Sequence, residues 1–312
     1  MDLAVSQGRS ILDQAYEDID GPRGADDGMD RLVLGLKSLR QRASPRSWEV
    51  FCRTECIGHP VRYLVHQDPI TERAFFKPRG YPGDAVLMDL FYGDNGASKY
   101  VDDATALGRQ IYKYTSTAPA ARALRRRKEL LATMIDRVSS GSSSRHIMTL
   151  GCGHLREAEM SSAVKERRVE RFLAVDRDPD SLSVVREKFG PLGVETASGS
   201  VNELIDGADT LGKFDMVYAA GPYDHLNRWL ATRLTSALFR AVREGGLLLV
   251  TNFVHGVKDA GYMEAFMDWH LNFRNATDMF ALTSALPEDD IADRRTFAED
   301  SGGIVFLAVR RK

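Results

Sequence analysis

Residues 146–153, His146-Ile147-Met148-Thr149-Leu150-Gly151-Cys152-Gly153, read as an apolar strand running directly into a Gly-x-Gly turn. Twenty-five residues after Gly151, a second apolar run from Phe172 to Val175 ends on Asp176. Glycines let a backbone approach a ligand with no Cβ in the way, and an acid ending the next parallel strand can accept hydrogen bonds from both hydroxyls of a ribose. Strand, turn, helix, strand and terminal acid in this order point to a nucleoside-binding site.

The dinucleotide fingerprint is incomplete. His154, Leu155, Arg156 and Glu157 follow Gly153 where a third glycine would let the first helix approach a pyrophosphate. The pattern therefore favours a cofactor without phosphates. S-adenosylmethionine, with a ribose, an adenine and an amino-acid tail, meets the requirement.

The whole chain has 312 residues and a formal net charge of -2, so it carries no global field toward nucleic acid or an anionic membrane. The basic run Arg122, Arg125, Arg126, Arg127 and Lys128, by its spacing with Leu124, Leu130 and Leu131, reads as a helix with a solvated face. The three cysteines, Cys52, Cys56 and Cys152, are widely split and are not accompanied by clustered histidines. Disulfides and a metal site are not expected, and neither is a membrane-spanning segment or a leader. The expected setting is cytoplasmic, with a small-molecule substrate, no nucleic acid, no membrane insertion and room for a homodimer.

The Ser/Gly-rich stretch 139–144 marks the expected domain boundary. Upstream, three- and four-residue apolar spacing predicts helices over Ile11–Ile19, Arg31–Leu39, Trp48–His59, Tyr63–His66, Ala85–Phe91 and Gly108–Val138. Downstream, strands are expected at Ile147–Leu150, Phe172–Val175, Val194–Ala197, Phe214–Ala219, Gly246–Asn252 and Ile304–Val309. Helices are expected near Glu157–Glu166, Asp180–Phe189, Asn202–Ile205, Asn227–Val242 and Asp259–His270. Alternation of this kind predicts an α/β, Rossmann-like fold whose sheet is mostly parallel and seven-stranded, over residues 144–312, with a helical N-terminal cap over residues 1–143.

In this order the second half resembles the class I S-adenosylmethionine-dependent methyltransferases, with Phe214-Asp215-Met216-Val217-Tyr218-Ala219 as fourth strand and Arg243-Glu244-Gly245-Gly246 as the turn into the fifth. Further segments are similar to bacterial enzymes of the hydroxypalmitic acid methyl ester synthase-like subgroup. They are Lys77 to Asp84, Gly153 to Glu157, Ala220 to Leu226, Thr251 to Phe253, Met263-Glu264, Asp268-Trp269 and Phe273-Arg274. The resemblance implies methyl transfer, with a hydroxy fatty acid carboxylate or a similar acid as acceptor. It also implies that Gly151, Cys152 and Gly153 line the cofactor tail, Asp176 the ribose, and Ser200 with Val201 the adenine edge, with Glu157, Arg177, Ala220 and Gly221 completing the pocket. Thr149 stands where many class I enzymes carry an acid, and His225 where the subgroup is expected to carry a Tyr or Phe.

Methyl transfer from a sulfonium is an in-line displacement, so positioning and exclusion of water dominate. A carboxylate acceptor needs no base, whereas an amine or hydroxyl does. Tyr223 and His225, on the segment after the fourth strand, and Asp268 and Arg274, around the segment after the fifth, are the expected catalytic group. Asp224 reads as an N-cap for the helix that follows. Arg274 could grip a carboxylate in a bidentate fork. Arg79 and Tyr81, with Lys77, form an expected basic and aromatic lip, Trp269 an aromatic wall, and Asp84 a cap for the helix through Leu90. Two rival functions stay open: N- or O-methylation of an amino-acid-like or specialised metabolite with His225 or Asp268 as base, and a non-catalytic cofactor-binding sensor or scaffold.

Overall fold

A computed structural model describes residues 3–140 and 145–312, so part of the expected boundary, residues 141–144, lies outside the described residues. The chain forms two compact units. One comprises Met1–Leu124 with Gly256–His270, and the other Arg125–His255 with Leu271–Lys312. The division therefore falls about fifteen residues before the Ser/Gly stretch, and residues 256–270 belong to the helical unit. Local composition carries no signal for such an excursion, because it is defined by contacts remote in sequence.

The second unit is built on a seven-stranded sheet of β1 (His146–Leu150), β2 (Arg171–Asp176), β3 (Val194–Ser198), β4 (Phe214–Ala219), β5 (Val242–Phe253), β6 (Ile291–Ala298) and β7 (Ile304–Arg311). Their order is β3-β2-β1-β4-β5-β7-β6. Strands β1 to β5 pair in parallel, while β7 runs antiparallel to both β5 and β6. β1, β2 and β4 are buried along nearly their whole length, which is why they read as unbroken apolar runs. β6 is an edge strand of half-buried and exposed residues, Ile-Ala-Asp-Arg-Arg-Thr-Phe-Ala, and its polar sequence hides it from a hydrophobic pattern. Strand order reverses between β1 and β4, the switch point where ligands bind in open α/β sheets.

The helical unit contains α1 (Leu3–Ile19), α2 (Gly24–Arg42), α3 (Pro45–Phe51), α4 (Val61–Val65), α5 (Pro69–Phe76), α6 (Ala85–Tyr92), α7 (Ser98–Asp102) and α8 (Ala106–Thr117). The helix expected over Gly108–Val138 is two, α8 and α9 (Pro119–Val138), because Ala118 precedes a proline and is extended. The helix expected over Trp48–His59 is α3 followed by a π-helical turn, Cys52–Cys56. Arg127 corrects the solvated-face reading of α9, since it is buried at 5% exposure. Asp84 caps α6 as expected, its Oδ1 accepting from Leu87 N at 2.8 Å.

In the second unit, the helix expected over Glu157–Glu166 shrinks to α10 (Ser162–Lys165). Leu155 is left-handed, and Asp136 accepts from Ser161 Oγ at 2.6 Å and from Ala163 N at 2.9 Å, so the helix starts only there. α11 (Pro179–Phe189), α12 (Val201–Gly207) and α13 (Arg228–Arg240) follow the expectation. α14 (Ala260–Phe266) is shorter than Asp259–His270, and Asp268 adopts φ 44° just beyond it. α15 (Ala276–Ala281) completes the set.

Within the helical unit α1 and α2 approach so closely that a Cβ on Gly28 would lie 2.4 Å from Ile19 Cγ1 and 2.7 Å from its N. Ala at this site gains up to about 1 kcal/mol of helix propensity but overpacks by about 1–3 kcal/mol. Gly28→Ala is expected to lower the urea midpoint of unfolding. A raised midpoint would show that the two helices have room to spare.

Candidate functional site

The carboxyl ends of β1, β2 and β4 converge on the Gly151–Gly153 turn. Gly151 N and Cys152 N donate to Val175 O at 2.8 and 3.2 Å, tying the turn to the end of β2. Gly151 and Gly153 have φ of 69° and 51°, in the left-handed region that favours glycine. A Cβ on Gly151 would also come within 2.6 Å of Pro222 Cγ, so the first glycine is required by the segment after β4 as well.

Asp176 is 7% exposed and accepts from Gly153 N at 2.8 Å through Oδ2 and from Asp178 N at 3.0 Å through Oδ1. A carboxylate has about four lone-pair positions, so each oxygen keeps one for a further donor. The turn and the acid thus fit a cofactor with a ribose diol and a polar tail. Ser200 caps α12 in a reciprocal box with Glu203, and Val201 opens that helix. Both are half-buried beyond β3, while Arg177, directly after the acid, is exposed.

Glu157 is buried and accepts from Tyr218 Oη at 2.7 Å. Burial raises its pKa; the Tyr218 bond and the charges of Arg127 and Lys128 oppose the rise. Tyr218 also bonds Thr149, so a chain Thr149–Tyr218–Glu157 links the end of β1 to a carboxylate donated by the loop. Burial likewise raises the Cys152 thiol, with the negative charges of Asp176 and Glu157 adding to the effect.

The segment after β4 is held by the protein itself. Ala220 and Gly221 are half-buried, and Gly221 takes φ 124° to enter a 3-10 turn, Pro222–His225. Tyr223 is fully buried with its hydroxyl 3.0 Å from Thr235 Oγ1, in the core beneath the sheet. Arg274, 5% exposed, donates to Tyr223 O at 2.7 Å, to Asn252 Oδ1 at 2.5 Å and to Leu226 O. Of these two residues expected in the catalytic group, Tyr223 packs the core and Arg274 satisfies buried backbone carbonyls. His225 alone of the trio is exposed. Loss of water around part of its ring, and then the Arg177 charge, lower its pKa.

Asp224 does not cap the next helix; Asn227 does, accepting from Leu230 N at 2.9 Å. Asp224 Oδ1 accepts from Phe253 N at 2.7 Å and its carbonyl from Asn272 N at 2.7 Å, bolting the post-β4 turn to the end of β5. Asp224, on the segment after β4, was a candidate to face the acceptor as well as a cap, whereas Asn252 and Asn272 were not singled out as site residues from the sequence. The side chains of Asp224 and Asn252 are buried, and Asn272 contributes through its backbone, so only the fold shows what they bind.

The remaining expected residues lie in the helical unit. Asp268 is exposed and pairs with Lys77 and, at 3.3 Å, with His270. Trp269 is 4% exposed, 6.1 Å from the Phe91 ring, and closes on Gly83, whose Cβ would stand 3.0 Å from the indole. The residue expected as an aromatic wall is thus buried within that unit. Arg79 and Tyr81 are half-buried beside this turn. Among the described residues there is no metal-holding group of His, Cys, Asp or Glu, and no helix is long and apolar enough to cross a membrane.

Burial pushes Asp224 up to about 6, against the pull of the Phe253 bond and of Arg127 and Arg274. Between about pH 4 and 6 the folded chain therefore holds a proton that the unfolded chain releases. Stability falls as pH rises through that window, and the cost is complete above it. Asp224→Asn keeps an acceptor for Phe253 N and should remove this part of the slope in urea unfolding measured from pH 4 to 7.5. An unchanged slope would show that Asp224 does not titrate there.

No family model and no curated protein sequence matches this chain. Among solved structures it is similar to a "possible exported protein" from Bordetella parapertussis, at 14% identity and TM-score 0.57, over 98% of this chain and 96% of that one. It is also similar to a "putative methyltransferase" from Thermobifida fusca YX, at 13% identity and TM-score 0.52, over 73% of this chain and 94% of that one. The second unit has the Rossmann-like fold of the class I methyltransferases.

Proposed function

We propose that this protein is an S-adenosylmethionine-dependent methyltransferase acting on a small organic acceptor, with a carboxylate, of a hydroxy fatty acid or a similar acid, as the favoured nucleophile. The observation that carries the reading is the Gly151–Gly153 turn locked to a buried Asp176 at the switch point of the sheet. Asp176 would hold the ribose, the turn amides and Glu157 the tail, Ser200 and Val201 the adenine edge, and Arg177, Ala220 and Gly221 the rim. The cofactor, when bound, supplies an electrophilic methyl carbon on a sulfonium.

What the chain contributes is position. The Asp224 and Arg274 bonds hold the post-β4 turn rigid, and rigid walls keep reactants aligned and competing water out. A carboxylate acceptor is ionised at neutral pH and leaves no proton to remove. The proposal assigns no step to Tyr223, Asp268, Trp269 or Arg274, whose contacts lie within the protein, nor to Arg79 and Tyr81.

One observation favours the second reading, N- or O-methylation. His225 is exposed beside Arg177 with a lowered pKa, so its imidazole is neutral at pH 7 and can accept a proton.

Calorimetry with S-adenosylhomocysteine, followed by assay of its formation from S-adenosylmethionine with panels of acids, amines and alcohols, tests the proposal. Asp176→Ala is expected to lose about 1.5–3 kcal/mol of cofactor affinity, since charge-assisted hydrogen bonds are removed. Unchanged affinity in the folded variant would refute the site. His225→Phe should keep most turnover on a carboxylate, but lose about a hundredfold or more where a base is needed.

A further inference from the structure

The helical unit holds a cleft of about 860 Å³, within the range of small-molecule sites. Ala43, Trp48, Cys52, Ile57 and Phe75 give it an apolar wall. Part of that wall is the π-helical turn Cys52–Cys56, a rare conformation found frequently at functional sites.

The charged groups around the cleft neutralise one another. Glu264 takes a two-pronged bond from Arg40, at 2.7 Å on each oxygen, and a third from Trp48 Nε1 at 2.6 Å. Glu49 pairs with Arg53 at 3.1 Å, and Asp268 with His270 at 3.3 Å and with Lys77. An ionic ligand would bring its charge against apolar surface, and the opposite charges at the rim are already in pairs it would have to break. An uncharged ligand pays neither penalty and gains from removing its apolar surface from water.

We infer that this cleft is a binding site for an uncharged, predominantly apolar small molecule. The inference stands apart from the methyl-transfer reading, because every lining residue belongs to the helical unit.

The test uses the full chain and three probes with the same ten-carbon tail: 1-decanol, decanoate and decyltrimethylammonium. Titration followed by calorimetry should show saturable binding of 1-decanol that an equal concentration of either ion does not displace; decanoate taken up at the carboxylate site proposed for the second unit leaves it unchanged. Ala43→Phe and Ile57→Trp fill the cleft from opposite ends of the sequence segment that lines it, and each should weaken 1-decanol binding at least tenfold. Bound 1-decanol should also raise the urea midpoint of the unmodified chain, which needs no variant to fold. Non-saturating uptake, displacement by an equal concentration of either ion, unchanged affinity in a folded filled variant, or an unmoved urea midpoint would each overturn the inference.

Discussion

The carboxylate of Asp176 is the fixed point of the sheet's carboxyl edge. It takes amide protons from Gly153 on one side and Asp178 on the other, so a single side chain sets both the turn after β1 and the exit from β2. Two orphan donors that would otherwise face a largely dry edge are satisfied by one ion. The acid is thereby oriented before any ligand arrives, and its remaining lone pairs point where the backbone is already fixed. Preorganisation of this kind lowers the cost of binding, because little has to be ordered at the moment of association.

Elsewhere the molecule spends buried charge on architecture. Arg274 holds the carbonyls of Tyr223 and Leu226, and Glu264 holds Arg40 and Trp48. Buried ionic groups of this sort add little net stability against apolar replacements, yet removing one partner is costly, since the other is left unpaired away from water. They are therefore constraints on conformation more than reservoirs of energy. Near the proposed site that constraint has a use: the post-β4 turn cannot drift from β5 without exposing an arginine and an aspartate to an apolar interior.

The fold was legible in the second half because its strands are short and buried, and the glycine turn and terminal acid stand at a fixed separation. β6 escaped notice because half its side chains face solvent and its residues are polar. In the candidate site the turn at Gly151 and Gly153 and the acid Asp176 lie together as their spacing suggested, because that arrangement rests on backbone. Tyr223, Arg274 and Trp269 are buried, and they are residue types that serve equally well as ligand contacts and as core. Which of the two they are depends on partners such as Thr235, Asn252 and Phe91, brought close only by tertiary structure. The excursion of residues 256–270 into the helical unit was invisible for the same reason.

That excursion also governs the order in which the chain can mature. Arg40 meets Glu264 across 224 positions and Trp48 meets it across 216. A ribosome that has released the first helices has not yet made the carboxylate they require. The helical unit must wait, with Trp48 and its neighbours uncovered, until most of the sheet's strands have been synthesised. Long-range closures of this kind slow folding and prolong the exposure of sticky surface to other chains. Synthesis thus leaves Arg40 and Trp48 waiting on a partner that is made only after strands β1 to β5.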